Sequence, residues 1–289
     1  MEPHGDRNDT PALPSATVIM LRDGPAGLEA FLLKRHGLSD VLGGAYVFPG
    51  GKVDAEDAEL ADRLDVPANR LHAALHEPGL DESQAAALYV AAVREVFEET
   101  GVLYAPVDAS AATRACKLMR EGRNFGEVLD AIDLHLTVKG IAPWSRWITP
   151  LVGGVVRKRF DARFFVAAAP AGQEPVHDEH EATESIWLAP RAALRQYWDG
   201  AIQLAPPQIM SLAHLSRFAS VEHALSYASQ HAPPLIQPEA FEMDGMRVLC
   251  YPGDERHSVR DRAMPGPTRL CWRNRRFEPL GGAFEEFLG

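Results

Sequence analysis

The chain has 289 residues, 46% of them hydrophobic, enough to bury a full core as one large domain or a domain with an extension. Its formal charge of −11 argues against a nucleic-acid-binding face, and no apolar run approaches the ~20 residues that span a bilayer. Three scattered cysteines (Cys116, Cys250, Cys271) form no C-x-x-C pair and point to a reducing compartment rather than a disulfide framework or soft-metal site.

Residues 1–14 are polar and proline-bearing, with no apolar core of a secretory signal, and are expected to form a disordered tail. The C-terminal Phe287-Leu288-Gly289 is not a peroxisomal address, so the cytoplasm is the expected compartment. Ala16 to Met20 and Glu29 to Lys34 read as strands around a turn at Gly24 to Gly27. Tyr46 to Phe48 reads as a short strand entering the turn Pro49-Gly50-Gly51, where small residues let backbone approach a phosphate or metal. Residues 58–80 begin as a helix and continue as a loop bearing Pro67, Pro78 and Gly79.

A longer helix follows, capped by Asp81 or Ser83 and stopped by Gly101. Its apolar side is Ala86, Tyr89, Val90, Val93, Val96 and Phe97, while Ala91 and Ala92 are expected above its acidic face, leaving a substrate room there. Further helices are expected over 112–121, 125–134, 191–198 and 207–229, with strands over 147–149, 164–168 and 185–188. Beyond residue 232 the chain is rich in proline and glycine, with strand-like stretches at 246–251 and 270–272.

The long helix ends in Arg94-Glu95-Val96-Phe97-Glu98-Glu99-Thr100-Gly101-Val102. Glu98 and Glu99 follow Glu95 by three and four positions, so the three carboxylates share one face and repel one another. A solvated acidic face is one explanation, and a hard cation such as Mg²⁺ or Mn²⁺, which takes oxygen ligands, is the other.

With Gly51 and Asp57 upstream, the run resembles the signature of the Nudix hydrolase family, G-x5-E-x7-R-E-U-x-E-E-x-G-U with U aliphatic. Asp57 is a shorter carboxylate at the first glutamate position. Between Asp57 and Arg94 stand 36 residues where the signature has seven. Such an interruption, preceded by Phe48-Pro49-Gly50-Gly51, resembles the branch that includes the animal peroxisomal coenzyme A diphosphatase. The segments 144–150, 159–165, 187–190, 204–207 and 252–255 are similar to that branch as well.

The resemblance implies an α/β (α+β) fold, the Nudix α/β/α sandwich with a mixed β-sheet. The expected organisation is a Nudix domain over 15–200, an insertion at about 58–82, and a C-terminal helical extension over 201–289 packed on the same domain. It also implies a metal-dependent hydrolase acting on a small-molecule nucleoside diphosphate, with Mg²⁺ or Mn²⁺ as cofactor, while charge and the lack of a long apolar run lead us to expect no nucleic-acid or membrane partner. A homodimer is left open.

Glu95, Glu98 and Glu99 are the implied metal ligands, with the Gly51 carbonyl beside them and Glu95 able to orient or deprotonate water. Arg94 belongs to the catalytic set as a residue paired with a carboxylate, and Asp57 is the helix-fixing partner. Glu181 is the expected carboxylate from outside the box, with Glu179 and Glu184 as competitors. The stretch His177 to Glu181 is not H-E-x-x-H and reads as a polar loop.

Arg35, Gly50 and Arg159 are the substrate-binding candidates. A further pattern of coenzyme A hydrolases keeps Leu32, Arg35, Gly44 and Phe48 to Gly51, but Asp40 stands where its second arginine belongs. An aspartate there repels the phosphate an arginine would pair with. Coenzyme A and acyl-coenzyme A head the substrate classes, giving 3′,5′-ADP and a phosphopantetheine product. ADP-ribose, NADH or a dinucleotide is the second reading, a nucleoside triphosphate the third, and a non-catalytic binding or regulatory module the last.

Overall fold

Alternation along two adjacent strands decides the architecture. In the computed structural model, which describes residues 11–37, 43–150, 158–179 and 181–289, β1 (Leu13–Gly24) sends Ala16, Val18 and Met20 to one core. Its Ile19 and Leu21 enter a second core on the opposite face. Strand β2 (Gly27–Arg35) does the same, with Phe31 and Leu33 on one side and Leu28, Ala30 and Leu32 on the other. A period of two that is apolar on both phases belongs to a sheet covered on both faces.

That sheet is mixed. It adds β3 (Tyr46–Val47), β4 (Gly50–Lys52), β5 (Ile141–Ile148), β6 (Phe160–Ala168), β7 (Ala182–Leu188) and β8 (Leu235–Ile236). The strand order is β3-β2-β1-β6-β5-β8, with β4 also paired to β1 and β7 to β2. The β1/β6 and β5/β8 pairs are parallel, and the others are antiparallel. Strand β1 begins at Leu13, inside the stretch expected as a tail; residues 1–10 lie outside the described ones.

Helices α1 (Ala68–Leu75), α2 (Glu82–Thr100), α3 (Ala109–Arg120) and α4 (Phe125–Ile132) contribute to the first core. The second face is covered by α5 (Pro190–Trp198), α6 (Pro206–Leu215) and α7 (Val221–Gln230), completing an α/β/α sandwich. A separate antiparallel sheet, β9 (Glu239–Met243) to β12 (Arg276–Pro279) through β10 (Met246–Cys250) and β11 (Arg269–Arg273), closes the chain. Leu249, Tyr251 and Leu270 from that region join the second core.

Three local expectations are corrected. The insertion is not a loop after its first helical turn: a 3-10 helix spans Ala55–Arg63, and α1 follows Pro67. Proline at a helix start costs little, because its missing N–H lies outside the ladder. Leu71 and Leu75 of α1 are buried in the first core. That packing removes the open floor expected over the acidic face, since Ala91 and Ala92 are 0% and 1% exposed. The single helix expected over 207–229 is two, because the chain leaves α6 at Leu215 and restarts with Ser220 capping His223 N. No glycine or proline marks the break. Phe218, packed against Trp144 and Tyr227, occupies it.

His214 sits in that aromatic cluster, its ring 4.4 Å from Trp144 and 5.1 Å from Tyr227. Burial, aided by the Arg217 and His231 charges, lowers its pKa to about 4. The unfolded chain therefore binds a proton between about pH 6.5 and pH 4 that the folded chain refuses. The associated stability is present above pH 6.5 and is lost as pH falls, by up to about 3 kcal/mol. Denaturant titrations at pH 7 and pH 4.5 should show a smaller loss in His214→Phe than in wild type. Equal losses in the two proteins would refute the buried neutral imidazole.

Candidate active site

The site forms where the last turns of α2 meet β4. Asp81 accepts from Gln84 N at 2.7 Å while the Gln84 side chain accepts from Asp81 N at 3.0 Å, a reciprocal cap that starts α2. Gly101, at φ 71°, ends it in the left-handed conformation that costs glycine least. Between these caps the helical period sets Arg94, Glu95, Glu98 and Glu99 beside the Gly50–Lys52 backbone.

Arg94 is the hub. Its Nε and Nη2 donate to both oxygens of Asp57 at 2.7 and 2.9 Å, and Nη2 also donates to the Lys52 carbonyl at 2.9 Å. Nη1 donates to Glu95 at 2.9 Å and Glu98 at 3.0 Å, and Asp54 lies 3.4 Å from Nη2. Asp57, 1% exposed, also accepts from the Asp54 backbone N–H at 2.8 Å. Burial works against the guanidinium charge, but the Asp57 bonds and the Glu95, Asp57 and Glu98 charges outweigh it and raise its pKa.

Strand β4 pairs with β1 through Ala16↔Gly51 and Thr17↔Gly50, which lays its backbone over the helix end. Gly50 N–H donates to Glu99 Oε2 at 3.0 Å. A Cβ on Gly51 would stand 2.4 Å from the Glu95 carboxylate, whereas one on Gly50 would stand 2.4 Å from the Ala16 carbonyl oxygen and 2.6 Å from Thr17 Cα. The two glycines therefore predict different failures. Gly51→Ala displaces a flexible carboxylate and should cut kcat by about 10- to 100-fold with little change in Tm. Gly50→Ala collides with backbone and should lower Tm as well. Equal Tm losses in both variants would contradict this geometry.

The carboxylates are held against their charge. Glu95 has its pKa pushed up to about 7, first by burial, with Glu98 and Glu181 adding to the rise and Arg94 opposing it. Burial likewise raises Glu98, against the pull of Arg94. Glu99 is held well above the usual carboxylate range, by burial and by the Glu95 and Glu181 charges.

Glu181 is thus among the same groups and hydrogen-bonds Glu99. Its loop is pinned to the carbonyl end of α2, with Val176 N donating to Thr100 O and Asp178 N to Glu99 O, both at 3.0 Å. Of its competitors, Glu184 pairs with Lys34 at 3.4 Å and Glu179 is exposed. His177 Nδ1 is 3.1 Å from Ser185 Oγ, and His180 lies outside the described residues.

The remaining candidates are more dispersed. Arg35 closes β2 opposite Ala182, next to Glu181, and its Nε is buried without a hydrogen-bond partner among the described residues. Arg159 stands before β6 with Nε donating to the Thr149 carbonyl at 3.2 Å. Asp40 lies outside the described residues.

Sequence reasoning missed Asp54 and the Lys52 carbonyl as partners of Arg94. It also missed a nearby network in which Arg146 and Arg163 both pair with Glu77 and Asp161. The only local signal was arginine at the middle of otherwise apolar strands.

As the side chains stand, no three His, Cys, Asp or Glu groups among the described residues converge tightly enough to hold an ion. Their chemistry still suits a hard divalent cation. The donors are all oxygens, and three of the four carboxylates are crowded and desolvated enough to raise their pKa values.

Residues 74–215 match the family described as the NUDT19 Nudix domain. The human protein named acyl-coenzyme A diphosphatase NUDT19 is 28% identical over 279 residues, covering 81% of this chain and 74% of its own length. Its Xenopus laevis namesake is 26% identical over 273 residues, covering 78% and 70%. Among solved structures, a NUDIX hydrolase from Alicyclobacillus acidocaldarius superposes with a TM-score of 0.61 at 26% identity, covering 75% of this chain and 97% of that one.

Proposed function

The chain belongs to the Nudix hydrolase family, and on that premise we propose that it hydrolyses the diphosphate of coenzyme A and acyl-coenzyme A, releasing 3′,5′-ADP and (acyl-)phosphopantetheine. The chemistry rests on one observation, the gathering of Glu95, Glu98, Glu99 and Glu181 around the Arg94 hub and the β4 backbone. The substrate class rests on the likeness to relatives named acyl-coenzyme A diphosphatases.

Breaking a phosphoric anhydride requires negative charge to be offset on the phosphoryl oxygens and a water to be aimed at phosphorus. A divalent ion, Mg²⁺ or Mn²⁺, supplies the Lewis-acid part. Glu95, Glu98 and Glu99, with Glu181 and the Gly51 carbonyl, are the groups that would hold it. Glu95 also orients the attacking water and accepts its proton. Arg94 keeps Glu95 and Glu98 in place, and Asp57 keeps Arg94 in place. Arg35, beside Glu181 with an Nε unpaired among the described residues, and Arg159 are the proposed phosphate contacts, and the Gly50 backbone lets the substrate approach closely.

A second reading, cleavage of ADP-ribose, NADH or a dinucleotide, is favoured by Asp40, which replaces an arginine suited to an added phosphate. Product analysis separates the two. The protein is incubated with Mg²⁺ or Mn²⁺ and coenzyme A, acetyl-coenzyme A, ADP-ribose, NADH and dinucleoside polyphosphates, beside an EDTA control. Release of 3′,5′-ADP from coenzyme A, abolished by EDTA, is the expected result. Cleavage of ADP-ribose or NADH alone would sink the coenzyme A reading, and no turnover on the panel would favour a binding module.

A further inference from the structure

A concavity of about 620 Å³ lies beside α2 at Ala87 and Leu88, two helical turns before the carboxylates. Ala58, Leu75 and Leu80 of the insertion line it on one side, and Ala87 and Leu88 of α2 on another. Its volume falls within the range of small-molecule sites. One end is lined by Val53 and Asp54, immediately after Gly50–Lys52, and Asp54 lies 3.4 Å from Arg94. From Ala87 to Glu95 is only ~12 Å along the helix axis.

Away from Asp54, the charged part of the lining is two arginines neutralised by two carboxylates. Arg146 pairs with Glu77 at 2.8 Å and Asp161 at 2.7 Å, and the 4%-exposed Arg163 pairs with the same two at 2.6 and 2.9 Å. Two guanidinium charges are cancelled by two carboxylates with their donors already engaged, so a phosphate would gain nothing here. An uncharged chain bearing amides and methyl groups fits both the apolar walls and the hydrogen-bonding floor. Glu77 also fastens the insertion to β5 and β6, so the wall is tied to the central sheet.

We infer that this cavity is the subsite for the neutral arm on the far side of the substrate diphosphate, and that the box insertion exists here as its outer wall. The inference rests on the coenzyme A reading, in which that arm is pantetheine with or without an acyl group. The diphosphate lies at Glu95 and Glu98, and the arm runs back past Asp54 along α2.

Gly79 lies on the lining, and a Cβ there meets nothing within 4 Å, so Gly79→Trp adds bulk at the cavity edge without a clash. Ala58→Phe narrows the cavity from the 3-10 helix. Each variant should raise KM for coenzyme A and acyl-coenzyme A at least about tenfold with kcat within about threefold. Free pantetheine, which carries no phosphate, should compete with coenzyme A on the wild type and cease to compete on either variant. Melting temperatures verify that both variants fold. Unchanged KM values in both, with pantetheine still competing, would overturn the cavity assignment while leaving coenzyme A hydrolysis intact. Absence of coenzyme A turnover by the wild type would overturn the substrate reading and this assignment with it.

Discussion

Glu98→Gln is expected to lower kcat about 10³-fold, or about 4 kcal/mol of transition-state stabilisation, while leaving the fold as stable as before or slightly more so. The two halves of that expectation come from the same geometry. Glu98 accepts from Arg94 Nη1 at 3.0 Å, and a glutamine oxygen can keep that bond. Its charge, however, is disfavoured by burial first and by the nearby Asp57 and Glu181 carboxylates, so neutralising it removes repulsion from the folded state. What disappears is one of the negative charges proposed to hold the divalent ion. Steady-state kinetics and a thermal melt of the same preparation decide the matter. A variant that keeps more than a tenth of wild-type kcat would remove Glu98 from the proposed site.

Asp57→Ala should be the most destabilising single change in the site, at about 3–5 kcal/mol and hence about 10 °C in Tm. Arg94 has 9% of its side chain exposed and donates two hydrogen bonds to Asp57, the shorter at 2.7 Å. Truncation leaves a buried cation facing a small void and also frees the Asp54 backbone N–H that Asp57 had satisfied. Glu95 and Glu98 then lose their fixed partner, so activity should fall with stability. A double-mutant cycle with Arg94→Ala should give the pair a coupling energy of about 2 kcal/mol or more. Additive losses from the two single changes would show that the pair does not act as a unit.

Where structure was set by neighbours a few residues apart, it was legible in the sequence. The caps at Asp81 and Gly101, the carboxylate spacing of α2 and the turn signal at Gly24 to Gly27 between β1 and β2 are all local, and each element is found where those signals place it. Helix α1 is obscured because Pro67, Pro78 and Gly79 carry loop signals on both sides of the short Leu71 and Leu75 pair one turn apart. The burial of Ala91 and Ala92 depends on what packs against them, which no pattern within α2 discloses. Glu77 finds Arg163 across 86 positions of sequence, and no short-range rule connects them. Asp57 and Arg94 are 37 positions apart, and only their likeness to a known signature joined them before the fold did.

That last contact also fixes how freely the interrupting segment can change size. Asp57 and Arg94 clamp both ends of the 36-residue excursion, so its two stems meet at one point whatever lies between. For a flexible loop, lengthening the excursion from seven residues to 36 raises the closure entropy by only about 1.4 kcal/mol. Burying Leu71 and Leu75 against the core offsets this, at about 1.5–3 kcal/mol for each side chain. Segment length is therefore nearly neutral for the fold, while the two stems are not. Such a site can trade one intervening segment for another, and with it one selectivity for another, without rebuilding the machinery it encloses.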